Sequence, residues 1–200
     1  MAKQAQVAFI NKWAMNLCMT NISCFEGKTY TLIGNSNDAA LNHCAERGIL
    51  PRVAETIFER KKFLECNSIA GSCNCIIKLS VLEIYQEKLK DLLVGNSAQK
   101  QPDTQLRLRE QIDGAVWVEG LTELSVSSEE EFQRLISTAM KKRVVGSHNM
   151  NAVSSRSHLC CILSLSLAQN EIGKPGERKI NSKLHLVDLA GSEMVSWRLT

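Results

Sequence analysis

The amino-acid sequence predicts an α/β domain, a central sheet flanked by helices on both faces, and three observations carry that prediction. From Cys75 to Tyr85 aliphatic and β-branched residues dominate, with Ile77, Leu79 and Val81 on one face and Ile76, Leu82 and Ile84 largely on the other, as in a strand covered on both sides. From Ser128 the period changes: Phe132, Leu135, Ile136, Ala139 and Met140 recur at helical spacing, and Ser128 with Glu131 three positions later forms a capping-box pattern. Apolar runs at Cys160 to Ala168 and Leu184 to Val187, separated by the turn Gly173-Lys-Pro-Gly176, read as two further strands. Strands interleaved with helices build a layered sheet.

The remaining elements follow in chain order. Val7, Ile10, Ala14, Leu17 and Cys18 fall at helical spacing and predict an amphipathic helix in the first twenty residues. Residues 34–46 read as a loop, after which Pro51 sits in the first turn of a helix that turns Val53, Ala54, Ile57 and Phe58 inward. A short helix is expected over 87–93, a loop over 95–104, and short strands over 106–109 and 116–124.

Composition bounds the function classes. The chain has 200 residues, enough for one domain with a sizeable core, and its net charge of +3 is too small to argue for nucleic acid or membrane as partner. The eight cysteines lack paired C-x-x-C spacing, and several lie in apolar runs as small hydrophobes, which predicts a reducing compartment, the cytoplasm. Cys73 and Cys75 are better read as structural thiols than as metal ligands, because no second pair stands at zinc-site spacing.

Gly27-Lys28-Thr29 has the ending of a phosphate-binding loop, in which backbone N–H groups, a lysine and a metal-binding hydroxyl surround the β- and γ-phosphates. The full pattern wants glycine at position 22, where this chain has Ile22, and Ser23 to Glu26 contain no glycine. Positive-φ conformations that turn N–H groups inward penalise a Cβ, so the loop before Lys28 is poorly suited to its task. A nucleotide switch also needs polar groups that grip the γ-phosphate and release it on hydrolysis. Asn151-Ala-Val-Ser-Ser-Arg-Ser-His158 supplies three hydroxyls, an amide and a guanidinium, and Asp188-Leu-Ala-Gly-Ser-Glu193 supplies a carboxylate at a strand end with a glycine beyond it.

Those two strings resemble the switch patterns N-x-x-S-S-R-S-H and D-L-A-G-S-E of kinesin motors, and Gly27 to Gly34, Gly48 to Phe58, Leu82 to Leu93, Val118 to Glu123 and Gly146 to Asn151 resemble the intervening kinesin segments. The resemblance implies a partial P-loop NTPase motor domain of kinesin type with a mixed, mostly parallel central sheet, truncated at both ends. Residues 26–196 would be the motor portion, with 1–25 and 197–200 outside it. The implied cofactors are ATP and Mg²⁺. Gly27, Lys28, Thr29, Tyr30, Asn151, Ser155 and Asp188 would bind the nucleotide, with Thr29 and Ser155 on the metal and Asp188 holding it through water. Ser154 would position the attacking water, Gly191 would sense the γ-phosphate by its N–H, and Arg156 and Glu193 would form the ion pair that closes the site. His158 and His185 are read as structural. The implied partner is the microtubule, in the cytoskeleton, with no nucleic acid and no membrane. Two alternatives stay open: a catalytically inactive tubulin- or protein-binding module, and a non-functional fragment. Without the upstream strands, the strand at Leu184 to Val187 is expected to present an unpaired, aggregation-prone edge.

Overall fold

A computed structural model describes residues 4–5, 7–10, 22–23, 27–34, 47–67, 73–95, 106–112, 114, 116–145, 156–170 and 177–190. In chain order these form β1 (Gln4–Ala5), β2 (Val7–Ile10), β3 (Ile22–Ser23), α1 (Lys28–Ile33), α2 (Ile49–Asn67), β4 (Cys73–Tyr85), β5 (Lys88–Asp91), β6 (Arg107–Glu110), β7 (Val116–Glu119), β8 (Leu124–Val126), α3 (Glu129–Val145), β9 (His158–Asn170) and β10 (Glu177–Asp188).

The main sheet runs β2-β10-β9-β4-β5, with β8 added beside β5 on the outer edge of β4. The α/β class stands, but the direction of the strands does not follow the expected mostly parallel arrangement: every pairing among the described residues is antiparallel. Short links explain much of this. Six residues join β9 to β10 and two join β4 to β5, and links that short return a chain only alongside itself. The second link, Gln86-Glu87, takes φ of 48° and 62°, the left-handed pair that matches the twist of a two-residue hairpin.

Strand β4 repeats period-two burial over its first half, with Cys75, Ile77 and Leu79 buried and Ile76 exposed; from Leu79 to Glu83 every residue is buried. The strand is thus covered on both faces over one half only. Its core face continues across the register into Leu163 and Leu184 beside Leu79, and into Cys161 and Leu186 beside Val81. Against that face lie the described helices, α1 against α2 and α2 against α3, a single layer where helices on both faces were expected. Gly48 lets α2 begin close to α1: a Cβ there would collide with the Ile33 backbone, and Gly34 and Arg47 bridge beside it.

Parts of two expected helices are strands, and residues 11–20 of the first lie outside the described residues. Residues 7–10 form β2, and residues 88–91 form β5, where Asp91 accepts the N–H groups of Leu93, Val94 and Thr122 at 2.8, 3.2 and 2.7 Å. In both places a neighbouring strand offers backbone partners that outweigh a weak helical period. The expected bare edge is also covered in part, since β2 pairs with Lys183 to Leu186 of β10. The helix starting near Pro51, the helix at Ser128 and the strands at 160–168 and 184–187 are found as expected, and the short strands expected over 106–109 and 116–124 fall at β6, β7 and the start of β8. The loop expected over 34–46 and the turn at 173–176 lie outside the described residues but for Gly34. At α3 the Glu131 N–H bonds Ser128 Oγ at 3.2 Å, while the Glu131 carboxylate reaches back to the hydroxyl and N–H of Ser127 at 2.6 and 2.9 Å. Those bonds from Ser127 hold the Glu131 carboxyl below its ordinary pKa. Cys75 and Cys161 are buried in the core, and burial pushes the neighbouring Cys160 thiol up to about 11, so these thiols act as packing groups.

Candidate functional site

Four apolar stripes line the core, and each runs out into a polar residue. On β4 the sequence Ile77, Leu79, Val81 continues to Glu83; on β9, Leu163, Cys161, Leu159 leads back to Ser157; on β10, Leu184 and Leu186 lead to Asp188. On α3 the inward positions Phe132, Ile136 and Ala139 continue to Arg143. The register makes these ends coincide, because Leu159 pairs with Glu83 on one side and Asp188 on the other.

All four polar residues are buried, Arg143 to 4% exposure. Its guanidinium spans the two carboxylates: Nη1 lies 3.1 Å from Asp188 Oδ2, and Nε 3.7 Å from Glu83 Oε1. Nη2 donates to the Ser157 carbonyl at 3.1 Å, and Ser157 Oγ donates to Glu83 Oε1 at 2.7 Å. Charges this far from water persist only when paired and hydrogen-bonded, and the planar five-donor fork of arginine suits a position between two carboxylates.

The second part of the site comes from the other end of the chain. Gly27 caps α1 with φ of 89°, a conformation that L side chains rarely adopt, and the space where a Cβ would stand is open. The turn that follows brings Lys28 and Thr29 to the end of β10. Thr29 Oγ1 donates to Asp188 Oδ2 at 2.5 Å, and Lys28 Nζ donates to the Ala190 carbonyl at 3.0 Å. Asp188 Oδ2 is therefore shared by Thr29, on the solvent side, and Arg143, on the core side. The Ala190 N–H donates to His158 Nδ1 at 3.0 Å.

A hydroxyl and a carboxylate in contact beside an ammonium group form an oxygen donor set suited to Mg²⁺ and phosphate, and unsuited to the thiophilic metals. The residues present fit a magnesium nucleotide.

The model of the kinesin motor domain matches residues 19–199. The chain belongs to the kinesin motor domain family. Kinesin-related protein 5 of Dictyostelium discoideum is 38% identical over 174 residues, covering 85% of this chain and 16% of that protein. The kinesin heavy chain of Botryotinia fuckeliana is 37% identical over 169 residues, covering 84% of this chain and 17% of that protein. A solved fast kinesin, described with its ATPase mechanism and interactions with microtubules, superposes with a TM-score of 0.66 at 33% identity, over 85% of this chain and 43% of that one. The chain thus spans under a fifth of those two relatives and less than half of the solved kinesin.

Of the residues that the kinesin resemblance singled out, the structure brings Lys28, Thr29 and Asp188 together and places Gly27 and an exposed Tyr30 on either side of the first two. Arg156 is exposed, one position before the buried Ser157. Asn151, Ser154, Ser155, Gly191 and Glu193 lie outside the described residues. Sequence reasoning missed Arg143 and Glu83, counted Ser157 only among the three hydroxyls of the switch string and not as a buried partner of that pair, and gave His158 no contact with the site. The signal was present: Arg143 falls on the apolar stripe of α3, four positions after Ala139, and Glu83 falls two after Val81. A charge on a buried stripe needs a partner within the fold.

Proposed function

We propose that this chain is the central part of a microtubule-based motor ATPase, with residues 26–196 as its motor portion. The observation that carries the proposal is the contact of Lys28 and Thr29 with Ala190 and Asp188, groups about 160 positions apart in sequence. In this reading Lys28 leaves the Ala190 carbonyl to neutralise the β- and γ-phosphates, while Thr29 and Ser155 bind Mg²⁺ and Asp188 holds it through water. Gly27, Tyr30 and Asn151 complete the nucleotide contacts. Ser154 positions the attacking water, the Gly191 N–H senses the γ-phosphate, and Arg156 with Glu193 closes the site. Magnesium, when bound, neutralises charge that develops on the phosphate oxygens. Microtubules are the proposed partner and the cytoskeleton of the cytoplasm the proposed location.

One observation favours a second reading, a kinesin-like module that binds without turnover. Ile22 stands where the phosphate loop wants its first glycine, and Ile22–Ser23 forms a strand paired with Gln4–Ala5. Steady-state ATP hydrolysis with and without polymerised tubulin separates the two. Tubulin-stimulated turnover that Lys28→Ala abolishes is the expected result; tubulin binding with no turnover supports the second reading, and neither activity removes both.

A further inference from the structure

We propose that Arg47 is a positioning residue of the nucleotide site, acting from the far ends of the two helices that meet at Asp188. The inference rests on the nucleotide-binding reading above. At the site itself α1 supplies Thr29 and α3 supplies Arg143, and both side chains bond the same atom, Asp188 Oδ2. At their other ends the same two helices are joined again, through Arg47. Gly34, which caps the C-terminus of α1, forms a backbone bridge with Arg47, and the N–H of Gly48 donates to the Ile33 carbonyl at 3.3 Å. The Arg47 guanidinium reaches across to α3, where Nη2 donates to Glu129 Oε1 at 3.1 Å in the first turn of that helix. Two further bonds tie Arg47 to α2: Nη1 pairs with Glu55 Oε2 at 3.1 Å, and Arg52 Nε donates to the Arg47 carbonyl at 3.1 Å.

These contacts close a ring that runs from Asp188 through Thr29 and α1 to Arg47, and from there through Glu129, α3 and Arg143 back to Asp188. A helix of six residues is too short to stand by itself and takes its place from what its ends are tied to. Leu32 and Ile33 bury α1 against the core, but apolar burial is non-directional and does not by itself fix how the helix is turned about its axis. Directional bonds at its C-terminal end do, and on that turn depends the placing of the Thr29 hydroxyl beside Asp188. The Arg47 side chain is only 10% exposed, so water screens its attraction to Glu129 weakly. Magnesium demands near-ideal octahedral geometry at short distances, and a small displacement of Thr29 from Asp188 therefore weakens binding of a magnesium nucleotide far more than that of the nucleotide alone. Only Glu129 belongs to the ring; Glu55 lies on α2, outside it.

The experiment compares the 200-residue chain with Arg47→Met, Glu129→Ala, their double variant, Glu55→Ala and, as a chain destabilised elsewhere, Leu163→Ala. Amide hydrogen exchange at Thr31 and Gly34, whose N–H groups bond the Gly27 and Tyr30 carbonyls of α1, is read without nucleotide. Titration with a fluorescent ATP analogue is carried out in Mg²⁺ and again in EDTA. The expected results are faster exchange at both amides in Arg47→Met and in Glu129→Ala, with affinity in Mg²⁺ weakened by about three- to tenfold and affinity in EDTA within about twofold of the parent. The double variant should bind no more weakly than Arg47→Met alone, while Glu55→Ala and Leu163→Ala stay within about twofold of the parent in both media. Glu129→Ala, which removes a partly exposed side chain, carries the test if Arg47→Met does not fold. Unchanged α1 exchange in the folded variants, an equal loss of affinity in EDTA, or an equal loss in Glu55→Ala or Leu163→Ala overturns the proposal. Because exchange is read without nucleotide, its failure is seen apart from that of the functional reading, whereas a parent chain that binds no magnesium nucleotide overturns both.

Discussion

The two ends of the core face are built from the same strands and the same α3, yet they obey different rules. Towards one end the rows Leu79, Leu163, Leu184 and Val81, Cys161, Leu186 pack as apolar layers beneath α1, α2 and α3. One residue pair further along, the row contains Glu83, Leu159 and Asp188, roofed by Arg143. The apolar rows gain from every side chain they bury, about 1.5–3 kcal/mol for a large one. The polar row gains little net stability, because desolvating a guanidinium and two carboxylates offsets most of their attraction. Its geometry is what it contributes: Asp188 is held from the core side so that its position near Thr29 does not depend on solvent.

The largest test of this contrast is Arg143→Met, which leaves two buried carboxylates uncompensated and should lower unfolding free energy by roughly 3–5 kcal/mol in urea titration. Replacing all three charges, with Glu83→Leu and Asp188→Leu added, should return stability to within about 1 kcal/mol of the parent while abolishing Mg-nucleotide binding. A triple variant as unstable as Arg143→Met alone would break the comparison. In the apolar rows, Leu163→Ala should cost about 3 kcal/mol by the same titration, through lost burial and a cavity. A smaller effect belongs to the N-terminus of α3, where Ser128→Ala removes the bond to the Glu131 N–H and should cost about 1 kcal/mol. The smallest concerns His185, whose pKa is lowered by burial and by Lys183. The unfolded chain then binds the proton more readily, so stability should fall as pH drops below about 6.5. His185→Asn should flatten that part of the profile of melting temperature against pH, and an unchanged slope would show that burial of His185 does not matter there.

Much of this contrast was legible in the sequence, but unevenly. The stripes of α3 and β4 could be read from period, since burial imposes it, and β10 from its apolar run. Lys28, Thr29 and Asp188 could be named because local spacing and family pattern mark them, whereas the contacts of Lys28 with Ala190 and of Thr29 with Asp188 are ones no local pattern reveals. The direction of the strands was not legible, because it depends on which segments pair. The failure at 88–91 has a similar cause: Lys88-Leu-Lys-Asp91 suits a helix or an edge strand, and the tight turn at Gln86-Glu87 decides for the strand. Arg143 was overlooked because a basic residue near a helix C-terminus also has an ordinary explanation in the helix dipole.

The order of the strands has a further consequence, in time rather than space. Strands β9 and β10 join through six residues, a hairpin that can close early, whereas β4 reaches β9 only after the intervening ribbon and α3 have been brought along. Loops of that length close slowly, and non-local pairings form late. Asp188 comes into register with the hairpin, but Arg143 gains Glu83 only when β4 docks. In refolding followed by pulsed hydrogen exchange, the amides of β9 and β10 should gain protection ahead of those of β4. The charge network would then be completed among the last contacts to form, making its assembly a marker that the chain has finished folding.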